Sequence, residues 1–104
     1  MKVAGYIIVA FRFYKEGKRW VALCEELGTS TFASTLIEAK ERLIEAVLCH
    51  LNTLEDVGER KRFFAENDIK FYLHKPKEKE IEIQAPLDDR IFVQPHIQPI
   101  HAHA

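Results

Sequence analysis

The chain has 104 residues, which suits one small domain, and its 47% hydrophobic and 30% charged residues are ordinary for a globular protein. The formal net charge of −1 argues against a general electrostatic grip on nucleic acid or anionic lipid, which needs clustered basic residues. Cys24 and Cys49 form neither a disulfide framework nor a zinc spacing, and no run suggests a signal peptide or membrane span. We therefore expect a reduced, cytoplasmic protein without a metal or other cofactor.

Three strands are predicted in the first third of the chain. Residues 6–14 are β-branched and aromatic, and their odd-numbered members would share one face because side chains alternate along a strand. Residues 15–18 contain Gly17 and are typical of a hairpin loop leading to a second strand at 19–24. Residues 29–32 indicate a short third strand.

The hydrophobic period then changes to that of a helix. Thr35 and Glu38 match a capping box, and neither Gly nor Pro occurs from there to Leu54. Glu38 and Arg42 have the spacing of a favourable helical ion pair. After Gly58, residues 59–67 predict a second short helix, and the alternating residues 69–73 predict a last strand.

The character of the chain changes after His74. A charge run opens the remaining segment, and Pro86, Pro95 and Pro99 exclude a helix and allow only edge strands or extended segments. We predict one domain over residues 1–75 and an extended tail over 76–104, of which 96–104 would be mobile. The apolar patches at 81–83 and 91–93 would either add strands to a neighbouring molecule or clasp their own domain.

The long helix is apolar over about 200° of its circumference, about twice what one packed face needs. The first stripe comprises Leu36, Ala39, Leu43, Ala46, Val47, His50 and Leu54, and the second Ile37, Ile44, Leu48 and Leu51. A sheet covers one stripe. The second helix with Phe63 and Phe64, the C-terminal tail or another protomer covers the other, unless it stays exposed as an interaction patch.

The sheet face turned away from the helix would also carry apolar residues, because Tyr6, Ile8 and Tyr14 alternate with the inward set. We therefore predict that the chain self-associates, with a dimer as the first expectation. The predicted partner-binding or oligomer interface comprises Ile37, Ile44, Leu48, Leu51, Tyr6, Ile8, Tyr14 and Trp20.

Four ordered motifs resemble those of the HicB-like antitoxin family, with matching spacing over residues 6–73. They are residues 13–17 (Phe-Tyr-Lys-Glu-Gly), 20–22 (Trp-Val-Ala), 24–28 (Cys-Glu-Glu-Leu-Gly) and 35–39 (Thr-Leu-Ile-Glu-Ala). The resemblance implies an α+β fold, a two-layer β-β-β-α-β domain described as reduced ribonuclease-H-like. It also implies an antitoxin that binds and neutralises a small HicA-type RNA-cleaving toxin.

The chain departs from the family pattern in three places. Leu23 stands where a polar residue is usual, and Glu25 stands where proline is common. The tail shows neither a helix-turn-helix nor a ribbon-helix-helix pattern, so we do not expect direct binding to DNA. One alternative is an orphan HicB-like oligomeric domain without a toxin partner.

Another alternative is weak RNA binding, because Tyr14 and Trp20 lie among basic residues and could stack bases. These basic residues are Lys15, Lys18, Arg19, Arg60, Lys61 and Arg62.

Catalysis is not expected. Two-metal nuclease chemistry needs several carboxylates that converge on the metals, and residues 6–14 contain none. Cys24 lacks a local nucleophile signature, so we interpret it as a packing residue. The tail histidines His96, His101 and His103 are expected to give at most an incidental affinity for divalent metals.

Overall fold

A computed structural model describes residues 2–77 and 90–101 of the chain. The elements are strands β1 (Val3–Glu16), β2 (Arg19–Cys24) and β3 (Thr29–Ala33), helices α1 (Leu36–Asp56) and α2 (Arg60–Glu66), and strand β4 (Phe92–His101). The α+β class, the first three strands and both helices are therefore confirmed. No helix among the described residues has the length and apolar character needed to cross a bilayer.

The four strands form one antiparallel sheet in the order β3-β2-β1-β4. β1 pairs with β2 only from Phe11 onwards, whereas β4 follows β1 along nearly its whole length. The edge strands are β3 and β4. β4 thus joins the sheet from beyond the predicted domain boundary at residue 75.

The predicted last strand at residues 69–73 is wrong. Only Tyr72 from that segment meets the sheet, in an isolated bridge where Tyr6 and Tyr72 exchange backbone hydrogen bonds of 2.7 and 2.8 Å. The Phe71 ring packs against Gly5, and Ile69 is buried in the core. The alternating pattern of this segment therefore reflects packing around a bridge rather than strand pairing.

The tail prediction needs a matching correction. Residues 96–101 are not mobile but lie in β4, while 102–104 and the patch at 81–83 lie outside the described residues. Of the patch at 91–93, Phe92 and Val93 begin β4, so this part of the tail clasps its own domain.

The prolines of β4 fit the sheet because of where they fall. Pro95 pairs with Ala10 and Pro99 with Tyr6. Both Ala10 and Tyr6 direct their N–H groups to the other side of β1, to Glu26 and Tyr72. Partners at such positions exchange no ladder hydrogen bonds with β1, so a proline there removes no hydrogen bond between the two strands.

The core lies between the sheet and α1. Ile7, Val9, Phe11 and Phe13 face α1, as predicted, and each is at most 4% exposed. α1 lies against β2 and β3 and contributes Ala39, Leu43, Val47, Leu51 and Leu54 to the core. Burying each large apolar side chain contributes about 1.5–3 kcal/mol, so this layer stabilises the fold more than any surface pair.

The start of α1 is fixed by its cap. Thr35 Oγ1 accepts the N–H of Glu38 at 3.1 Å, which confirms the predicted N-cap. The Glu38 carboxylate does not return to Thr35. It accepts instead from Arg42 at 2.8 Å, the predicted ion pair, and from the Ser34 hydroxyl at 3.4 Å.

Candidate protein-binding surface

Strand pairing sets which side chains lie on the sheet face opposite α1. In β1, Ile8 lies opposite Ile97 of β4, and Tyr14 lies opposite Val21 of β2. Because directly opposite residues share a face, this surface spans all four strands. The outer face comprises Tyr6, Ile8, Ala10, Arg12, Tyr14, Val21, Leu23, Ser30, Phe32, Val93, Pro95, Ile97 and Pro99.

The described helices both lie on the opposite side of the sheet, α1 against β2 and β3 and α2 against α1. Ile8 and Ile97 lie opposite each other on this face and are half-buried. Leu23 is also half-buried, but it lies opposite Arg12, four residues further along β1. Phe32, at the β3 edge, is 54% exposed. An apolar surface of this breadth is typical of a protein-binding site.

Charged groups lie among and beside these apolar residues. Arg12 lies on the face between Leu23 and Val93 and makes an ion pair of 3.7 Å with Glu25. At the hairpin end, Arg19 pairs with Glu16 at 3.0 Å and holds its guanidinium 4.6 Å from the centre of the Phe32 ring. Apolar residues interspersed with arginine are common at protein–protein interfaces.

The structure brings three of the predicted interface residues together. Tyr6, Ile8 and Tyr14 all lie on the outer face, and each is half-buried. Trp20 does not join them. It pairs with Lys15 and Ala33 on the α1 side, where its ring packs against the core.

The helix stripe does not form one continuous surface. Ile37 is 74% exposed, whereas Leu51 is only 6% exposed and belongs to the core. Between them Ile44 packs against the core and Leu48 is half-buried. α2 lies against α1, with the Phe63 ring 5.2 Å from His50, so same-chain packing accounts for the C-terminal part of the helix.

Sequence reasoning missed most of the outer face. Val21 and Leu23 alternate with buried Ala22 and Cys24, so the period of the second strand could have placed them there. The outer-face residues of β4, among them Ile97, could not be predicted because Pro95 and Pro99 argue against a strand in that segment.

A polar pair lies on the α1 side of β4. The ring of His96 stacks on Phe11 at 4.3 Å, and its Nε2 lies 2.8 Å from Gln98 Oε1. Gln98 is 3% exposed, and its amide donates to the Pro99 carbonyl at 3.1 Å. Burial lowers the pKa of His96 and the charge of Lys40 acts in the same sense, while the Gln98 hydrogen bond opposes both. The bonds satisfy this pair internally, as buried polar groups require.

Cys24 lies buried in the core. Burial raises the pKa of the Cys24 thiol to about 12, so almost none of the reactive thiolate forms near neutral pH. Among residues 2–77 and 90–101, no three His, Cys, Asp or Glu side chains group so that they could hold a metal ion.

Three of the six basic residues considered for RNA, the arginines, lie beside carboxylates. Arg60 pairs with Glu55 at 3.2 Å and Arg62 with Glu59 at 2.7 Å, much as Arg19 pairs with Glu16. These partners reduce the positive potential available to a phosphate backbone. The outer face is thus the best candidate site on the described part of the chain. No protein-family model matches the chain, and neither a curated protein nor a solved structure matches it.

Proposed function

We propose that the chain is a HicB-like protein-interaction module, not an enzyme, whose outer face binds and masks a small HicA-type RNA-cleaving toxin. The observation that carries this proposal is the outer face itself, on which the half-buried apolar residues Ile8, Ile97 and Leu23 lie beside the charged residues Arg12 and Arg19. A protein that binds RNA needs positively charged residues for the phosphate backbone, and on a toxin these would compete with Arg19 and Arg12 for the carboxylates of Glu16 and Glu25.

The ordered motifs support the part of the proposal that concerns the fold, namely a reduced ribonuclease-H-like arrangement. Gly17 and Gly28 adopt φ of +62° and +66° in the loops that follow β1 and β2, where a side chain would be strained. Leu27 is 2% exposed in the core, and Thr35 caps α1. These motif residues thus have roles in folding, whereas partner binding is assigned to the outer face.

Burial of apolar surface is the expected source of affinity. Masking needs a contact broad enough to exclude RNA, and standard protein–protein interfaces bury about 800 Å² on each partner. A face that spans four strands can offer such an area, with Ile8, Leu23 and Ile97 among its apolar residues. A charge placed at one of these apolar positions should therefore weaken binding far more than one placed elsewhere.

The test is co-expression of the chain with a HicA-type toxin encoded beside it. We expect rescue of growth and a complex that co-purifies. Leu23→Lys, on the outer face, should abolish both, whereas Val57→Lys should leave both intact because Val57 lies 63% exposed at the end of α1. Circular dichroism establishes that both variants fold.

Loss of rescue with Val57→Lys but not with Leu23→Lys would contradict the assignment of the site. Absence of any complex with the wild-type chain would overturn the antitoxin role. In that case the orphan oligomeric domain becomes the better account of the outer face.

A further inference from the structure

The two edges of the sheet differ in how they can accept another strand. In β4, Pro95 and Pro99 occupy positions whose backbone nitrogens point away from β1, toward the open side. Neither nitrogen carries a hydrogen, so this edge lacks donors at both positions. Prolines placed in this way protect edges against pairing with other chains. β3, from Thr29 to Ala33, contains no proline.

The register identifies the groups that β3 presents at its edge. Even-numbered residues of β1 point their N–H groups toward β2, as Ala10 shows, so Arg12 and Tyr14 bond with Leu23 and Val21. The alternate residues of β2 then bond with Thr29, Thr31 and Ala33. The backbone groups of Ser30 and Phe32 are left facing outward.

A side-chain contact supports this assignment independently. Arg42 Nη1 donates to the Phe32 carbonyl oxygen at 2.9 Å, reaching it from α1 at the outer side of β3. Arg42 thereby occupies one of the two acceptor positions of that oxygen. Within residues 2–77 and 90–101, the Ser30 carbonyl and the N–H groups of Ser30 and Phe32 make no hydrogen bond with another part of the chain.

We propose that β3 pairs with β3 of a second copy of this chain, joining the two sheets into one across a two-fold axis. Such an axis makes identical strands antiparallel. Centred on Thr31, the pairing sets Ser30 of each copy opposite Phe32 of the other, so their outward N–H and carbonyl groups match. It also covers Phe32, which is 54% exposed in the single chain.

Charge favours a second copy over an unrelated strand. The flank of α1 beside the β3 edge carries Glu38, Arg42 and Glu45, which helical spacing places on one side. Antiparallel pairing turns the two flanks toward each other in opposite directions. The proposed axis at Thr31 lies beside Ala39, whose carbonyl accepts from the Thr31 hydroxyl at 3.2 Å. Glu38 and Arg42 lie on either side of this point, so Arg42 of each copy faces Glu38 of the other and the surface is complementary to itself.

This dimer does not depend on the toxin, because, of the outer face, it involves only Ser30 and Phe32 at the β3 edge, whereas Ile8, Leu23 and Ile97 lie on the other three strands. Failure of one proposal leaves the other standing. A pairing that extends the sheet also leaves Leu23 and Ile97 accessible for a partner protein.

The test is the mass of the whole chain by light scattering coupled to size exclusion. The wild type should have the mass of two chains. Ser30→Pro removes an N–H that faces the β3 edge, so its mass should fall to one chain. Val93→Pro is the matched control, because it removes an N–H that faces the β4 edge, and it should remain a dimer.

A wild type that stays monomeric at about 100 μM would overturn the proposal, because a specific dimer of ordinary affinity forms well below that concentration. So would a dimer that survives Ser30→Pro. If Ser30→Pro does not fold, amide exchange of the wild type decides. The Ser30 and Phe32 amides should become protected as protein concentration rises, and rapid exchange at every concentration would overturn the pairing.

Discussion

Ala10 donates its backbone N–H to the carboxylate of Glu26 at 2.8 Å. β2 does not extend far enough to pair with this part of β1, because its ladder begins at Phe11. Glu26 therefore supplies from a loop the acceptor that a neighbouring strand would otherwise provide. Together with the Tyr72 bridge at Tyr6, it provides acceptors for two of the N–H groups that this part of β1 directs away from β4.

Replacing Glu26 tests the energetic weight of this contact. Glu26→Ala leaves the N–H of the buried Ala10 without its partner, which should cost about 1–3 kcal/mol of unfolding free energy. Urea denaturation measures the loss. The control is Glu25→Ala, since this neighbour is 67% exposed and its ion pair with Arg12 should contribute less than about 1 kcal/mol. Equal losses for both variants would contradict the capping role.

Gly5 tests the close approach of the segment after α2. An added Cβ would lie 2.6 Å from the Tyr72 carbonyl oxygen and would collide with the Phe71 ring. Gly5→Ala should therefore destabilise the fold by about 1–3 kcal/mol, the usual cost of overpacking.

The matched variant is Gly17→Ala, in a hairpin loop with nothing within 4 Å of the new Cβ. It meets only the strain of a positive φ, about 1 kcal/mol. Thermal denaturation should rank Gly5→Ala as the less stable of the two. The reverse order would mean that residues 71–72 do not hold against β1.

His96 should make stability depend on pH. Burial lowers its pKa in the folded chain, with Lys40 acting in the same sense against the Gln98 hydrogen bond. The unfolded chain then binds the proton more tightly, so stability is full above about pH 6.5 and is lost as pH falls through the folded pKa. Denaturant midpoints at about pH 7 and about pH 5 measure the effect.

His96→Gln keeps a donor for Gln98 but cannot titrate, so its loss of stability between these pH values should be smaller than in the wild type. His74→Gln is the control, because His74 lies exposed. If the wild type, His96→Gln and His74→Gln lose the same stability between these pH values, the buried position of His96 is contradicted.

The two cysteines should differ in reactivity. Cys49 is exposed on α1, whereas Cys24 is buried, and burial raises the pKa of its thiol to about 12. A thiol reagent at neutral pH should modify one cysteine rapidly in the native chain and the second only on unfolding. Rapid modification of both in the native state would show that Cys24 is accessible.

Local patterns were sufficient for the elements in which the local and tertiary preferences agree. The hairpin around Gly17, the cap at Thr35 and the inward set from Ile7 to Phe13 could all be predicted for that reason. Trp20 could have been placed correctly by counting alternation back from buried Cys24 rather than by its nearness to the hairpin.

The last strand could not be predicted, because residues 69–73 have the alternation expected of a strand, whereas the actual strand at residues 92–101 contains prolines. Residues 69–73 alternate as a strand does, yet Ile69 fills the core and only Tyr72 forms a bridge. Residues 92–101 contain Pro95 and Pro99, which argue against a strand unless the register of pairing is known. That register depends on β1, about 90 residues earlier along the chain.

The most direct test of the proposed function is a map of the partner's contact by amide chemical shifts during titration with the HicA-type toxin. We expect the shifts to concentrate on the outer face, at Ile8, Leu23 and Ile97, with little change along α1. Shifts concentrated on α1 around Ile37 and Ile44, with an unchanged outer face, would contradict it.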